Sequence, residues 1–100
     1  FVLPSRFETC SLSTREAMAR GLPVVGYRVG GLAENFGDAV AGHLAPPGTP
    51  AALRNALRSL LTDPMARAQR GHAAWRRSRH FPTWDAAADR FRTVLAALRS

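Results

Sequence analysis

Apolar positions come in two kinds along this chain: short unbroken runs in the first half, and steps of three and four residues in the second. The run "FVLP" at residues 1–4 is apolar and β-prone and is stopped by Pro4 and Ser5, which predicts the end of a buried strand. Small and helix-favouring residues then fill positions 11–20 up to Gly21. They predict a helix of about three turns, with Leu12, Ala17 and Met18 on its buried side. A second run, "LPVVGY" at residues 22–27, predicts another strand centred on Val24 and Val25. Next, "RVGGLAENF" supplies a Gly30–Gly31 turn and a short helix from near Leu32; paired glycines permit positive φ or a close backbone approach. A brief extended piece at residues 42–44 leads into the turn formed by Pro46, Pro47 and Gly48.

Beyond Gly48 the period changes. Thr49 is placed to cap a helix with Pro50 in its first position, and Leu53, Ala56, Leu57, Leu60 and Leu61 mark its apolar face. Asp63 and Pro64 repeat that start for a second helix reaching about Arg79. A third opens near Thr83 and Trp84 and carries Phe91, Val94, Leu95 and Leu98. Trp75, Trp84 and Phe91 are expected to pack these helices together. Strand, helix and strand within the first 27 residues is the βαβ pattern. The whole order therefore predicts an α/β fold, a partial Rossmann-like parallel sheet with helices and a helical carboxyl end.

At 100 residues, 46% of them hydrophobic, the chain has material for one modest core. It begins at Phe1 inside an apolar strand, so it reads as part of a longer protein. It contains neither an apolar run of about 18 residues nor a basic-then-apolar leader, so no membrane span or signal peptide is expected within it. The single cysteine, Cys10, excludes an internal disulfide and makes a reducing cytoplasm the default compartment.

The formal charge is +7 and all fourteen cations are arginine. The run "RRSRH" at residues 76–80 allows two readings. It is a solvated helix end whose arginines suit the carboxyl end of the helix dipole, or a basic face for nucleic acid, anionic lipid or a phosphorylated substrate.

Against this basic background two acids stand out, Glu8 and Glu16 in "RFETCSLSTREAMARGLPVVG". In an open parallel sheet, ligands sit at the carboxyl ends of strands, and Glu8 lies in such a loop. A carboxylate there is either a solvated loop acid or an acceptor for vicinal hydroxyls such as those of a sugar, while Ser11 and nearby amides form a donor-rich helix start that suits phosphate. Glu16, a helical turn further on, either closes a capping box with Ser13 or reaches the hydroxyls of a second ring such as a ribose. The residues themselves reach as far as a nucleotide-sugar or phosphosugar site, with both alternatives open for each acid.

The stretch "PSRFETCSLSTREAMARGLPVVGYRVGGLAE" resembles the nucleotide-sugar-binding segment of retaining family-four glycosyltransferases of the GT-B fold, the group 1 glycosyl transferase domain. The similarity continues through "GHLAPPGTPAALRNALRSLLTDP" and "FPTWDAAADRFRTVL" and so covers essentially the whole chain. It implies that the chain is the carboxyl-terminal, donor-binding half of a GT-B fold. Residues 1–80 would belong to the nucleotide-sugar-binding domain, and residues 81–100 would form a helix packing toward an amino-terminal acceptor domain. By the same resemblance Glu8 contacts the donor-sugar hydroxyls and is the candidate catalytic residue. Glu16 holds the ribose hydroxyls, and the backbone amides of Thr9, Cys10, Ser11 and Leu12 meet the sugar and diphosphate. This chain departs from the family pattern at Cys10 and Ser11, where phenylalanine and glycine are usual; Ser11 thus adds a Cβ where glycine gives phosphate the closest approach.

The resemblance further implies a nucleoside-diphosphate sugar as substrate, no metal and no cofactor. The acceptor would be a carbohydrate, lipid or small molecule, met through the amino-terminal domain. A cytoplasmic place with peripheral contact at the inner membrane face is compatible with it, and nucleic acid is not expected as a partner. Two rival readings are a sugar-nucleotide epimerase on the same scaffold and a basic helical module that binds nucleic acid or anionic lipid through Arg76, Arg77 and Arg79. Cys10 as a nucleophile and a metal site built from His43, His72 and His80 are disfavoured, because the spacing supplies neither a partner base nor a ligand set. Arg28 reads as a solvated strand-end residue.

Overall fold

Three parallel strands, β1 (Val2–Leu3), β2 (Val24–Tyr27) and β3 (Gly42–Ala45), stand side by side in that order in the computed structural model, which describes residues 1–37 and 39–99. Val2 is in register with Val25, and Val25 in turn with His43. All four residues of β2 are buried. That is why the sequence there is an unbroken apolar run rather than an alternation: a central parallel strand is covered on both faces. The crossovers that parallel strands require are α1 (Leu12–Ala19) and α2 (Gly30–Phe36).

The remaining chain is helical: α3 (Pro50–Thr62), α4 (Pro64–Ser78) and α5 (Trp84–Arg99). α3 packs over β3 and β2, and α4 packs chiefly on α1. The core cluster joins α1, α2 and α4 to the sheet and consists of Met18, Val24, Leu32, Phe36, Ala41 and Ala74, with Leu3, Leu44 and Phe81 packed against it. Asp63 caps α4 as its position predicts, its carboxylate accepting from the Ala66 amide at 3.1 Å. Thr83 does the same for the start of α5 through the Ala86 amide at 3.0 Å.

Several expectations need correction. Thr49 precedes α3, but its hydroxyl donates to the Pro46 carbonyl and makes no side-chain cap. The helix at residues 11–20 begins at Leu12, so Ser13 lies inside its first turn and is not its cap; the N-cap position belongs to Ser11. With that register Ala17 and Met18 face inward, as does Thr14, while Leu12 is turned out to solvent. Nor do the large aromatics join the helices. Trp75 stacks on His72 of its own helix at 5.9 Å and carries the Arg79 guanidinium at 5.2 Å from its ring centre, and Trp84 and Phe91 are exposed. Among the aromatics of this half, Phe81 is the one packed against the core.

α5 stands apart energetically. None of its described residues is buried, although Phe91, Val94, Leu95 and Leu98 recur at helical spacing along it. A compact domain of this length has a radius of gyration of about 13 Å, and the value here is 15.8 Å with a long axis of 57 Å. An amphipathic helix draws most of its stability from packing its apolar face, so α5 in this setting is the element with least to hold it.

His43, on β3, supplies a pH-dependent contribution. Burial, and then the positive charge of Arg70, hold its imidazole below the ordinary range, and its Nε2 lies 3.4 Å from the Ser59 hydroxyl. The folded state therefore favours the neutral ring. As pH falls through the ordinary imidazole range, the unfolded chain takes up the proton first and stability declines. Urea titrations between pH 8 and pH 5 are expected to show this decline, and His43→Gln is expected to flatten it.

Candidate functional site

After Leu3 the chain leaves the carboxyl end of β1 and runs to α1 across the start of α2. The contact there is made backbone to backbone. The Gly31 amide donates to the Glu8 carbonyl at 3.0 Å, which satisfies one of the amides that a helix start leaves without an internal partner. A Cβ on Gly30 would fall 2.1 Å from the Glu8 carbonyl oxygen, and one on Gly31 would fall 1.9 Å from that of Thr9. Gly30 also has φ +36. The two glycines thus serve both purposes their pairing allows, and what they let come close is the loop that carries Glu8.

The other end of the loop is held by a side chain that the sequence reading did not single out. Asn35, on α2 and 1% exposed, donates through Nδ2 to the carbonyls of Cys10 (3.0 Å) and Ser11 (3.2 Å), and its Oδ1 accepts from Arg15 Nε at 2.8 Å. Ser11 lies between these contacts at φ 52, ψ 63, the one non-glycine residue in the left-handed region among the described residues. That conformation costs an L-residue about 1–2 kcal/mol. Glycine, which the resemblance leads one to expect at this position, would adopt it without that cost. The buried Ser11 hydroxyl is paired with that of Thr14 at 2.6 Å.

Glu8 is half-buried and lines an open cleft with Arg6, Thr9, Val29 and Gly30. A second, broader groove lies past the strand ends, between Pro4, Tyr27, Pro47 and Pro50, and shares Arg6 and Val29 with the first. Glu16, exposed on α1, lines a different cleft of about 590 Å³ with Leu12, Arg15, Phe81, Trp84 and Arg90. The structure thus brings Glu8 together with Arg6 and Thr9, and sets Glu16 beside the start of α5; the two glutamates do not share one concavity. Cys10 is exposed, with its carbonyl held inward. Arg6 was also overlooked in the sequence, since one arginine among fourteen carries no signal until its place in the fold is known.

The basic run at residues 76–80 is partly committed to the fold. Arg77 donates to the carbonyls of Asn35 and Glu34, which lie near the carboxyl end of α2, and Arg79 covers Trp75. Arg76 and Arg77 occupy the last turn of α4, where cations suit the helix dipole. Arg28 is exposed just beyond β2, as expected. No three His, Cys, Asp or Glu side chains gather in a metal-binding group among the described residues. None of the described helices is long and apolar enough to cross a membrane.

These features define a Rossmann-like α/β protein whose strand ends open on a groove bearing a carboxylate, a guanidinium and a clamped loop. Residues 1–77 match the family described as "Glycosyl transferases group 1", and the chain belongs to that family, with the GT-B type of fold. It is 40% identical over 92 residues to the D-inositol 3-phosphate glycosyltransferase of Corynebacterium diphtheriae, covering 92% of this chain and 21% of that protein. It is 41% identical over 76 residues to the glycogen synthase of Mycobacterium tuberculosis, covering 76% and 18%. Among solved structures, the sucrose-phosphate synthase from Thermosynechococcus elongatus superposes with a TM-score of 0.83 at 34% identity, covering 96% of this chain and 25% of that one. The chain spans about a fifth of the length of these curated relatives.

Proposed function

We propose that the chain supplies the donor-binding part of a longer, retaining glycosyltransferase that moves a sugar from a nucleoside diphosphate to an acceptor hydroxyl. The observation that carries this reading is the loop at residues 8–12. It lies at the carboxyl end of a parallel strand, bears a half-buried carboxylate, and is held in a strained conformation by backbone and amide contacts. Glu8 accepts from the donor-sugar hydroxyls and Glu16 from the ribose. The amides of Thr9, Cys10, Ser11 and Leu12 meet the sugar and the diphosphate. In the reaction the bond between the anomeric carbon and the diphosphate oxygen breaks and one to the acceptor oxygen forms. Fixed donors aimed at the departing diphosphate lower that barrier without reorganising. No step needs a metal or cofactor in this reading.

The names of the relatives point to unlike acceptors or products: an inositol phosphate, glycogen and sucrose phosphate. What a stretch common to all of them supports is the donor side. The segment from residue 81 onward, with α5, packs toward the acceptor domain, which covers the apolar stripe of that helix. The acceptor, a carbohydrate, lipid or small molecule, binds in that domain. The protein works in the cytoplasm, with peripheral contact at the inner membrane face as a further expectation; nucleic acid has no part.

Two experiments test this. In the full-length protein, Glu16→Gln is expected to raise the donor KM about tenfold, the effect of one weakened charge-assisted hydrogen bond, with the acceptor KM unchanged. An unchanged donor KM contradicts the ribose assignment. The 100-residue chain by itself is expected to show no turnover with nucleotide sugars and acceptors, because the acceptor domain is not in it; turnover by the isolated chain contradicts this division of labour.

A further inference from the structure

The contacts of Asn35 are more specific than burial of a polar side chain requires. The amide orientation is fixed by its neighbours. The Arg15 guanidinium can only donate, and the Cys10 and Ser11 carbonyls can only accept, so the flipped amide would oppose donor to donor and oxygen to oxygen. In a trans peptide the carbonyl and the following N–H point in opposite directions. Asn35 holds the Cys10 carbonyl by itself and shares the Ser11 carbonyl with the Arg15 amide at 3.3 Å, so the amides of Ser11 and Leu12 are turned away from these contacts. The left-handed conformation of Ser11 persists only where its surroundings over-determine it, and Asn35 grips the peptide units on both sides of that residue.

Resting on the donor-site reading above, we propose that Asn35 is a positioning residue: it holds the Cys10–Ser11–Leu12 backbone in the one conformation that aims the Ser11 and Leu12 amides at the donor diphosphate, with Arg15 fixing its orientation. The clamp extends further. The Asn35 carbonyl accepts from Arg77 Nε at 3.0 Å, and the Arg15 and Arg77 guanidiniums lie 4.8 and 5.5 Å from the ring centre of Phe81. The turn that leads into α5 is thereby tied to the same asparagine.

Asn35→Asp in the full-length protein isolates the clamp. It keeps the size of the side chain and an acceptor for Arg15, but sets an oxygen against the two carbonyls in place of the donor. Hydrogen exchange at the Arg15 and Gly31 amides, which donate to the Ser11 and Glu8 carbonyls of this loop, is expected to quicken about tenfold, and the donor KM to rise by a similar factor, with the acceptor KM unchanged. Arg15→Met, which leaves the buried asparagine in place, is expected to act in the same direction by about threefold, and decides the matter where the aspartate variant does not fold. Exchange at the Arg15 and Gly31 amides equal to wild type in the folded variant overturns the clamp while leaving the donor reading intact. Quickened exchange with an unchanged donor KM overturns the donor reading of this loop, and the positioning role with it.

Discussion

Gly31→Ala is expected to disable the protein while changing one hydrogen into a methyl group. Gly31 needs no positive φ, so the substitution introduces no backbone strain of its own. Its Cβ would nonetheless lie 1.9 Å from the Thr9 carbonyl oxygen and 2.9 Å from the Cys10 Cα, both of them backbone atoms, whereas real Cβ contacts essentially never fall under 3.0 Å. The loop must therefore move by more than 1 Å or α2 must tilt. Overpacking of this kind costs about 1–3 kcal/mol of stability, and a misplacement of about 1 Å at reacting groups lowers rates about a hundredfold. Thermal denaturation together with donor kinetics in the full-length protein checks both. A variant with wild-type stability and kcat/KM would show that the approach of loop and helix is not needed.

Glu8→Gln is expected to lower kcat/KM for the donor by about 10- to 100-fold, the range of a hydrogen bond to a charged partner lost in a site closed over by substrate. The amide keeps the shape of the carboxylate but exchanges one acceptor oxygen for a donor and loses the charge, so it can no longer offer each of two vicinal hydroxyls its own charged oxygen. The Glu8 backbone, not its side chain, bonds to α2, and so folding is expected to be retained. Steady-state kinetics with the donor varied at saturating acceptor measures the effect. An unchanged value would remove Glu8 from the site.

How much of this was legible beforehand depends on the range of the interactions involved. "VVGY" declared a covered strand, and Asp63 with Pro64 declared a helix start, because both signals are local. The parallel order followed from the βαβ spacing. Glu8 and Glu16 were visible as acids, but their spacing left each with a structural alternative, and for Glu16 the register of α1 removed it by placing Ser13 inside the helix. What the sequence hid is tertiary. Asn35 meets Cys10 and Ser11 across 25 and 24 residues, and nothing near it in the chain announces that reach. Helical spacing likewise suggested that Trp84 and Phe91 pack helix on helix, yet here they lie exposed on α5, as an apolar stripe meant for an amino-terminal domain would.

In the proposed donor site the two glutamates recognise different parts of one ligand. Titration calorimetry of the full-length protein, with a nucleoside diphosphate and with the corresponding nucleoside-diphosphate sugar, separates those parts. Glu8→Gln is expected to weaken binding of the sugar-bearing ligand about tenfold or more while leaving the bare diphosphate unaffected, whereas Glu16→Gln weakens both. If neither ligand distinguishes the variants from the wild-type protein, the loop at residues 8–16 is not the donor site.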